Sequence, residues 1–304
     1  MFSVRGLVCV MMCAVLVGCS IVDQNGRVDF KKVWDEGVAS FDEPLSALSK
    51  ADDGEDKKEV RKQPTTASAG SVGRSVSVER AVEPENAAIW KALIESAEAA
   101  ERNFDYELAT MHYSRLVELN PNDIGSVLGL ASNLRYSGKP KEAILLLKSV
   151  MPTFPGRPKL SIELSKAQIA AGLLIEAERN VDSLLKEVPG EWEPHALKGV
   201  LLDHAEKYRA AQVAYGRALS LSPNNIAVLN NMSLSLAQEG QLGAAIRLLE
   251  DLVRSEYSTA QLRQNLALFY ALNGDLQSAG ELAQQDLPPE VVKENWSSFH
   301  LLQE

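Results

Sequence analysis

Thiols are nearly missing from this 304-residue chain: Cys9, Cys13 and Cys19 all lie at its start. Beyond residue 19 there is no sulfhydryl to form a disulfide or to hold a metal. Histidine is almost as sparse. His112, His195, His204 and His300 have no second ligand of metal-site type three or four residues on, only the scattered carboxylates of any helical chain. There is no phosphate-cradling loop, no nucleophile elbow and no HExxH. The chain is therefore expected to be no enzyme and to hold no cofactor or metal. A basic surplus is missing too: the formal net charge is −10, and from Glu85 onward there are 28 acidic against 20 basic residues. Nucleic acid, which needs a basic footprint, is not an expected partner. Neither is a small-molecule substrate.

What the chain has is periodicity. Ala109, Ala143, Ala177, Ala211, Ala245 and Ala279 stand 34 residues apart. A globular core has no need of one small residue at so fixed an interval. A stack of helical pairs does, because one helix must approach its neighbour closely at the same point of every unit. With the unit counted from Trp90, position 8 is always small: Ala97, Ala131, Ser165, Gly199, Ser233 and Ala267. Position 24 is mostly bulky, as Tyr113, Leu147, Val181, Tyr215 and Leu249. Small against large gives knob-and-hole packing within a pair. Position 15 holds Gly138, Gly172, Gly240 and Gly274, where a first helix would end in a left-handed residue. Position 32 holds Pro121, Pro155, Pro189 and Pro223.

This pattern resembles the tetratricopeptide repeat (TPR), a helix–turn–helix of 34 residues. The resemblance implies an all-α, right-handed superhelix of six repeats, starting near residues 90, 124, 158, 192, 226 and 260 within a domain at 85–304. Departures are local: Phe104 and Glu206 replace the turn glycine, and Tyr257 replaces a proline. Unit six loses bulk at Ala283, and its second helix is expected to run to Pro288-Pro289. A capping helix at 287–304 is expected next, because Val292, Trp296, Phe299 and Leu302 form one apolar stripe that could seal the stack.

At the other end, Arg5 precedes an apolar run from Leu7 to Val17, too short to span a bilayer and of signal-peptide length. It ends in Leu16-Val17-Gly18-Cys19, which resembles the lipobox of bacterial lipoproteins. That resemblance implies removal of residues 1–18 and a covalent lipid on Cys19, the one non-protein group expected. Ser20 lacks the aspartate that retains many such lipoproteins at the inner membrane, so the periplasmic face of the outer membrane is expected. Several acyl chains anchor firmly where one would not. Residues 19–84 read as a linker, with a mixed charge run at 51–59 and a Ser/Thr/Ala/Gly-rich stretch at 63–77. Phe30, Val33, Trp34 and Phe41 leave room for a short amphipathic segment at 28–48.

In TPR proteins positions 2, 5, 6 and 9 commonly line the concave groove. Here the last two units place Asn230, Asn231, Gln261, Gln264 and Asn265 there. Side-chain amides both donate and accept, so they suit the backbone of an extended peptide; a merely solvated polar face is the plain alternative. Position 5 runs Ile94, Leu128, Ile162, Ala196, Asn230 and Gln264, which does not match a carboxylate clamp and leaves the early groove apolar. His195 falls at a packing position and reads as structural. Asp203 and His204 are neighbours whose side chains diverge on a helix.

Three C-terminal segments allow a narrower resemblance. They are Leu229-Asn230-Asn231-Met232-Ser233-Leu234-Ser235-Leu236, Arg263-Gln264-Asn265-Leu266-Ala267-Leu268, and Asp286-Leu287-Pro288-Pro289-Glu290-Val291-Val292 with Asn295. Together they resemble the TadD lipoproteins of the tight-adherence (Tad/Flp) pilus assembly system. The resemblance implies a pilotin-like adaptor whose partner is the pilus secretin or an associated assembly protein. Two alternatives stay open. One is a TPR lipoprotein of general β-barrel assembly or of type IV pilus secretins; the other is a regulator of cell-wall enzymes.

Overall fold

The computed structural model describes residues 84–286. The expected signal peptide, Cys19, most of the linker and the capping stripe lie outside them. Twelve α-helices and no strand occur among the described residues. They run α1 (Pro84–Arg102), α2 (Tyr106–Leu119), α3 (Ile124–Tyr136), α4 (Pro140–Val150), α5 (Pro158–Ala170), α6 (Leu174–Glu187), α7 (Trp192–His204), α8 (Tyr208–Leu221), α9 (Ile226–Gln238), α10 (Leu242–Arg254), α11 (Ala260–Leu272) and α12 (Leu276–Ala283). Second helices begin at 106, 140, 174, 208, 242 and 276, and first helices from α3 onward at 124, 158, 192, 226 and 260. The 34-residue period of the sequence is thus the period of the backbone. α1 alone starts ahead of its unit, at Pro84 rather than near Trp90; proline is preorganised for a first helical position.

Each first helix ends in the same way. The N–H three residues past the helix end reaches back to a carbonyl in its last turn: Asp105 to Ala100 (2.9 Å), Lys139 to Leu134 (2.8 Å), Leu173 to Gln168 (2.8 Å), Lys207 to Leu202 (2.9 Å), Gln241 to Leu236 (2.8 Å) and Asp275 to Tyr270 (2.9 Å). This closure needs a left-handed residue. Gly138, Gly172, Gly240 and Gly274 supply it at φ between 72° and 91°. Phe104 and Glu206 adopt the same conformation at φ 57° without being glycine. Five helix starts are capped by side chains. Asp105, Asp123, Asn225, Thr259 and Asp275 each accept a hydrogen bond from the N–H three residues on, a contact worth about 1 kcal/mol.

The core follows the small-against-large reading. The six alanines are buried, and so is every residue at position 8. Leu147, Val181, Tyr215 and Leu249 fill the opposing space and are fully buried; Tyr113 is half-buried. Position 3 is buried from unit two onward, at Ser126, Leu160, Pro194, Val228 and Leu262, whereas Ala92 of unit one is exposed among the described residues. The far end differs from expectation. α12 stops at Ala283 instead of running to Pro288-Pro289, and the chain turns so that Asp286 meets Arg263 of α11.

Candidate functional site

The first helices of successive units pack side by side, and polar side chains tie them together beneath the surface. Asn133 Nδ2 donates to Glu101 Oε1 (2.6 Å) between α1 and α3. Arg135 Nε donates to Glu163 Oε1 (3.0 Å) between α3 and α5, and Tyr136 stacks its ring on the same guanidinium, 4.2 Å from the ring centre. Ser235 Oγ donates to Asp203 Oδ1 (2.6 Å) between α7 and α9. Asn265 Nδ2 donates to Asn230 Oδ1 (2.8 Å) between α9 and α11. All eight residues are buried. Apolar faces of near-identical units could pack in the wrong order or register. Distinct polar pairs that must find one another penalise such slips, since a buried polar group left without its partner costs about 1–3 kcal/mol.

Two of the networks occupy matching positions. Units one and four each place a carboxylate at position 12 (Glu101, Asp203), a tyrosine at position 24 (Tyr113, Tyr215) and a polar residue at position 10 of the next unit (Asn133, Ser235). The Tyr215 hydroxyl donates to Asp203 Oδ2 at 2.7 Å, and Tyr113 is hydrogen-bonded to Glu101 in the same sense. Burial raises both carboxyl groups, Asp203 to about 6, while the hydrogen bonds from Ser235 and Tyr215 act in the opposite direction. Tyr215 is pushed well up by burial and by the carboxylate beside it. A glycine lies under each ring: an added Cβ on Gly129 or Gly199 would clash with Tyr113 or Tyr215.

The groove residues divide into two groups. Asn230 and Asn265 are buried and bonded to each other, so they set the spacing of α9 and α11. Asn231, Gln261 and Gln264 are half-buried on the same two helices. Toward the other end the face is apolar: Ile94 and Leu128 are half-buried, Ile162 and Ala196 buried. His195 lies 3.2 Å from the Pro189 carbonyl through Nε2, a contact that fixes the preceding turn. Among the described residues no group of three or more His, Cys, Asp or Glu could hold a metal, and no helix is long and apolar enough to cross a membrane.

The helix starts, the left-handed turns and the paired small residues recur together every 34 residues. The chain has the tetratricopeptide-repeat fold. Solved structures agree. The TPR chain here is similar to one in the APC/C hetero-tetramer Cut9–Hcn1, with TM-score 0.56 and 16% identity over 90% of this chain and 49% of that one. It is also similar to PilW, described as a widely conserved type IV pilus biogenesis factor, with TM-score 0.50 and 17% identity over 65% of this chain and 91% of that one. Likeness at this identity speaks for the fold. No family model matches the chain. Among curated proteins it is 34% identical over 95 residues to y4yS of Sinorhizobium fredii, covering 31% of this chain and 52% of the relative. The TPR chain thus spans about half the length of that relative.

The geometry also brings together described residues of the segments behind the narrower resemblance. Asn230 of the first bonds Asn265 of the second, and Arg263 of the second bonds Asp286 of the third. The guanidinium makes two parallel contacts to that carboxylate, one of them Nε to Oδ2 at 2.7 Å, and donates to Ser258 Oγ at 3.1 Å. Sequence reading missed these bonds. The partners lie 23 to 35 residues apart at unlike repeat positions, so no spacing rule announces them.

Proposed function

We propose that this chain is a non-enzymatic, lipid-anchored adaptor on the periplasmic face of the outer membrane, serving assembly of a Tad/Flp pilus. Its TPR groove binds and supports the pilus secretin or a protein associated with it. The observation that carries the reading is the resemblance of three C-terminal sequence segments to TadD. Among the described residues, Asn230 of the first segment is bonded to Asn265 of the second, and Arg263 of the second to Asp286, the first residue of the third. Those segments, above all Asp286-Leu287-Pro288-Pro289-Glu290, are more specific than the 34-residue pattern, which any TPR protein shares. PilW supports the use of this fold in pilus assembly generally and favours no particular pilus.

In this account the lipid on Cys19 fixes the location, residues 19–84 act as the tether, and the repeats do the holding. Asn231, Gln261 and Gln264 offer amides to the main chain of an extended partner segment, on a surface spaced by the Asn230–Asn265 pair. The apolar face at Leu128 and Ile94 takes apolar side chains of the same partner. Confinement beside the membrane raises the effective concentration of the groove, so modest affinity suffices. The test is binding of the full chain in detergent to the solubilised secretin, with Asn231→Asp and Gln264→Glu variants. Each replaces a donor by a carboxylate and is expected to weaken binding several-fold without changing the melting curve. Unchanged affinity in both variants would remove the groove from the account.

A further inference from the structure

Asp203 is a buried carboxyl where three helices of two units meet. α7 supplies the carboxyl, α8 the Tyr215 hydroxyl and α9 the Ser235 hydroxyl. Ser235 Oγ has a second acceptor, the Tyr208 carbonyl at 3.4 Å. This gives the network two satisfied arrangements. With the carboxyl ionised, Ser235 donates to Asp203 Oδ1. With it protonated, Asp203 donates to Ser235 Oγ, and the serine proton turns to the Tyr208 carbonyl. The states differ by one proton and by a full buried negative charge, while the heavy atoms keep their places.

Charges on the surrounding helices are engaged elsewhere. Glu178 and Asp182 of α6 hold Lys198 of α7. Arg209 of α8 holds Glu239, at the end of α9. Glu163 of α5 holds Arg135 of α3. The imidazole of His204 follows on α7 itself and is the other titratable group to be separated experimentally. The matching network of units one and two lacks the relay. There Asn133 presents an N–H, which only donates, to Glu101, and its buried Oδ1 has no partner.

We propose that Asp203 makes the junction of repeats four and five a pH-sensitive joint, held firmly when the carboxyl is protonated and loosened when it ionises. The proposal is independent of the adaptor reading. Burial supports it by raising the carboxyl to about 6. An acid raised by folding binds its proton more tightly in the folded state than in the opened one. The stability it contributes is therefore greatest at low pH and is lost as pH rises through about 6.

The experiment is amide hydrogen exchange of the full chain at about pH 5 and about pH 7.5, corrected for intrinsic exchange rates, with Asp203→Asn and His204→Gln variants. Protection across α7 to α9 should be about tenfold lower at the higher pH in the wild type, from the proton linkage of one group. Asp203→Asn should abolish that change, and His204→Gln should retain it. A pH-independent wild type, or a pH response that survives Asp203→Asn, overturns the proposal. A second reading covers the case in which the variant fails to fold: the wild-type Asp203 carboxyl carbon, followed by NMR, should titrate with a midpoint near 6. A midpoint in the ordinary carboxylate range, about 4 or below, overturns it equally.

Discussion

Two glycines on neighbouring helices of one repeat make opposite predictions for the same substitution. Gly199 of α7 lies under the Tyr215 ring, and an alanine Cβ there would meet three ring carbons at distances no packed structure tolerates. The ring cannot step aside freely, because it is fully buried and its hydroxyl is fixed on Asp203. Overpacking of this kind costs about 1–3 kcal/mol. Losing the hydrogen bond to a buried carboxylate adds about 1.5–3 kcal/mol. Helix propensity returns about 1 kcal/mol, because alanine is the better helix former. Gly199→Ala should therefore lose about 1.5–5 kcal/mol. Gly216 of α8 has open space around its missing Cβ, so Gly216→Ala should gain about 0.5–1 kcal/mol from propensity alone. Thermal unfolding separates the two: roughly 3–20 °C down for the first, and a small rise for the second, at about 2–4 °C per kcal/mol in a domain of this size. Adding Tyr215→Leu to Gly199→Ala should restore much of the loss, because unit two already packs Leu147 with Ala131. Matching shifts in the two single variants, or no rescue, would refute the packing argument.

Glu206→Gly relieves a left-handed glutamate and should stabilise by about 1 kcal/mol, read as a shift of the urea midpoint. Arg135→Met leaves Glu163 buried and unpaired, and should lose about 3–5 kcal/mol in the same assay; Arg135→Met with Glu163→Leu should recover most of it. Cys19→Ala should give a protein that folds normally but appears in the soluble periplasmic fraction. Firm membrane association of that variant would contradict the lipid anchor.

The repeat architecture was legible because close helix packing forces one residue type at one position. Ala177 and Ala211 are small since nothing larger fits, and that necessity is written at a fixed spacing. Turn closure was legible at the four glycines. Phe104 and Glu206 looked like breaks in the pattern, yet they adopt the same left-handed turn, since the hydrogen bond back to the helix outweighs the strain. The polar ties between first helices were not legible. Glu101–Asn133, Arg135–Glu163 and Asn230–Asn265 are separated by 32, 28 and 35 residues, and each uses different chemistry. Of the five amides assigned to the groove, pattern alone did not separate Asn230 and Asn265, which face each other, from the three that are half-buried. That division depends on how α11 is rotated against α9.

The adaptor claim is tested most directly by the amount of secretin multimer in outer membranes of cells with and without this chain, with an unrelated β-barrel as control. The account predicts selective loss of the Tad-type secretin multimer and an unchanged control. Loss of both would place the chain in general barrel assembly, and an unchanged secretin would contradict the pilotin-like role.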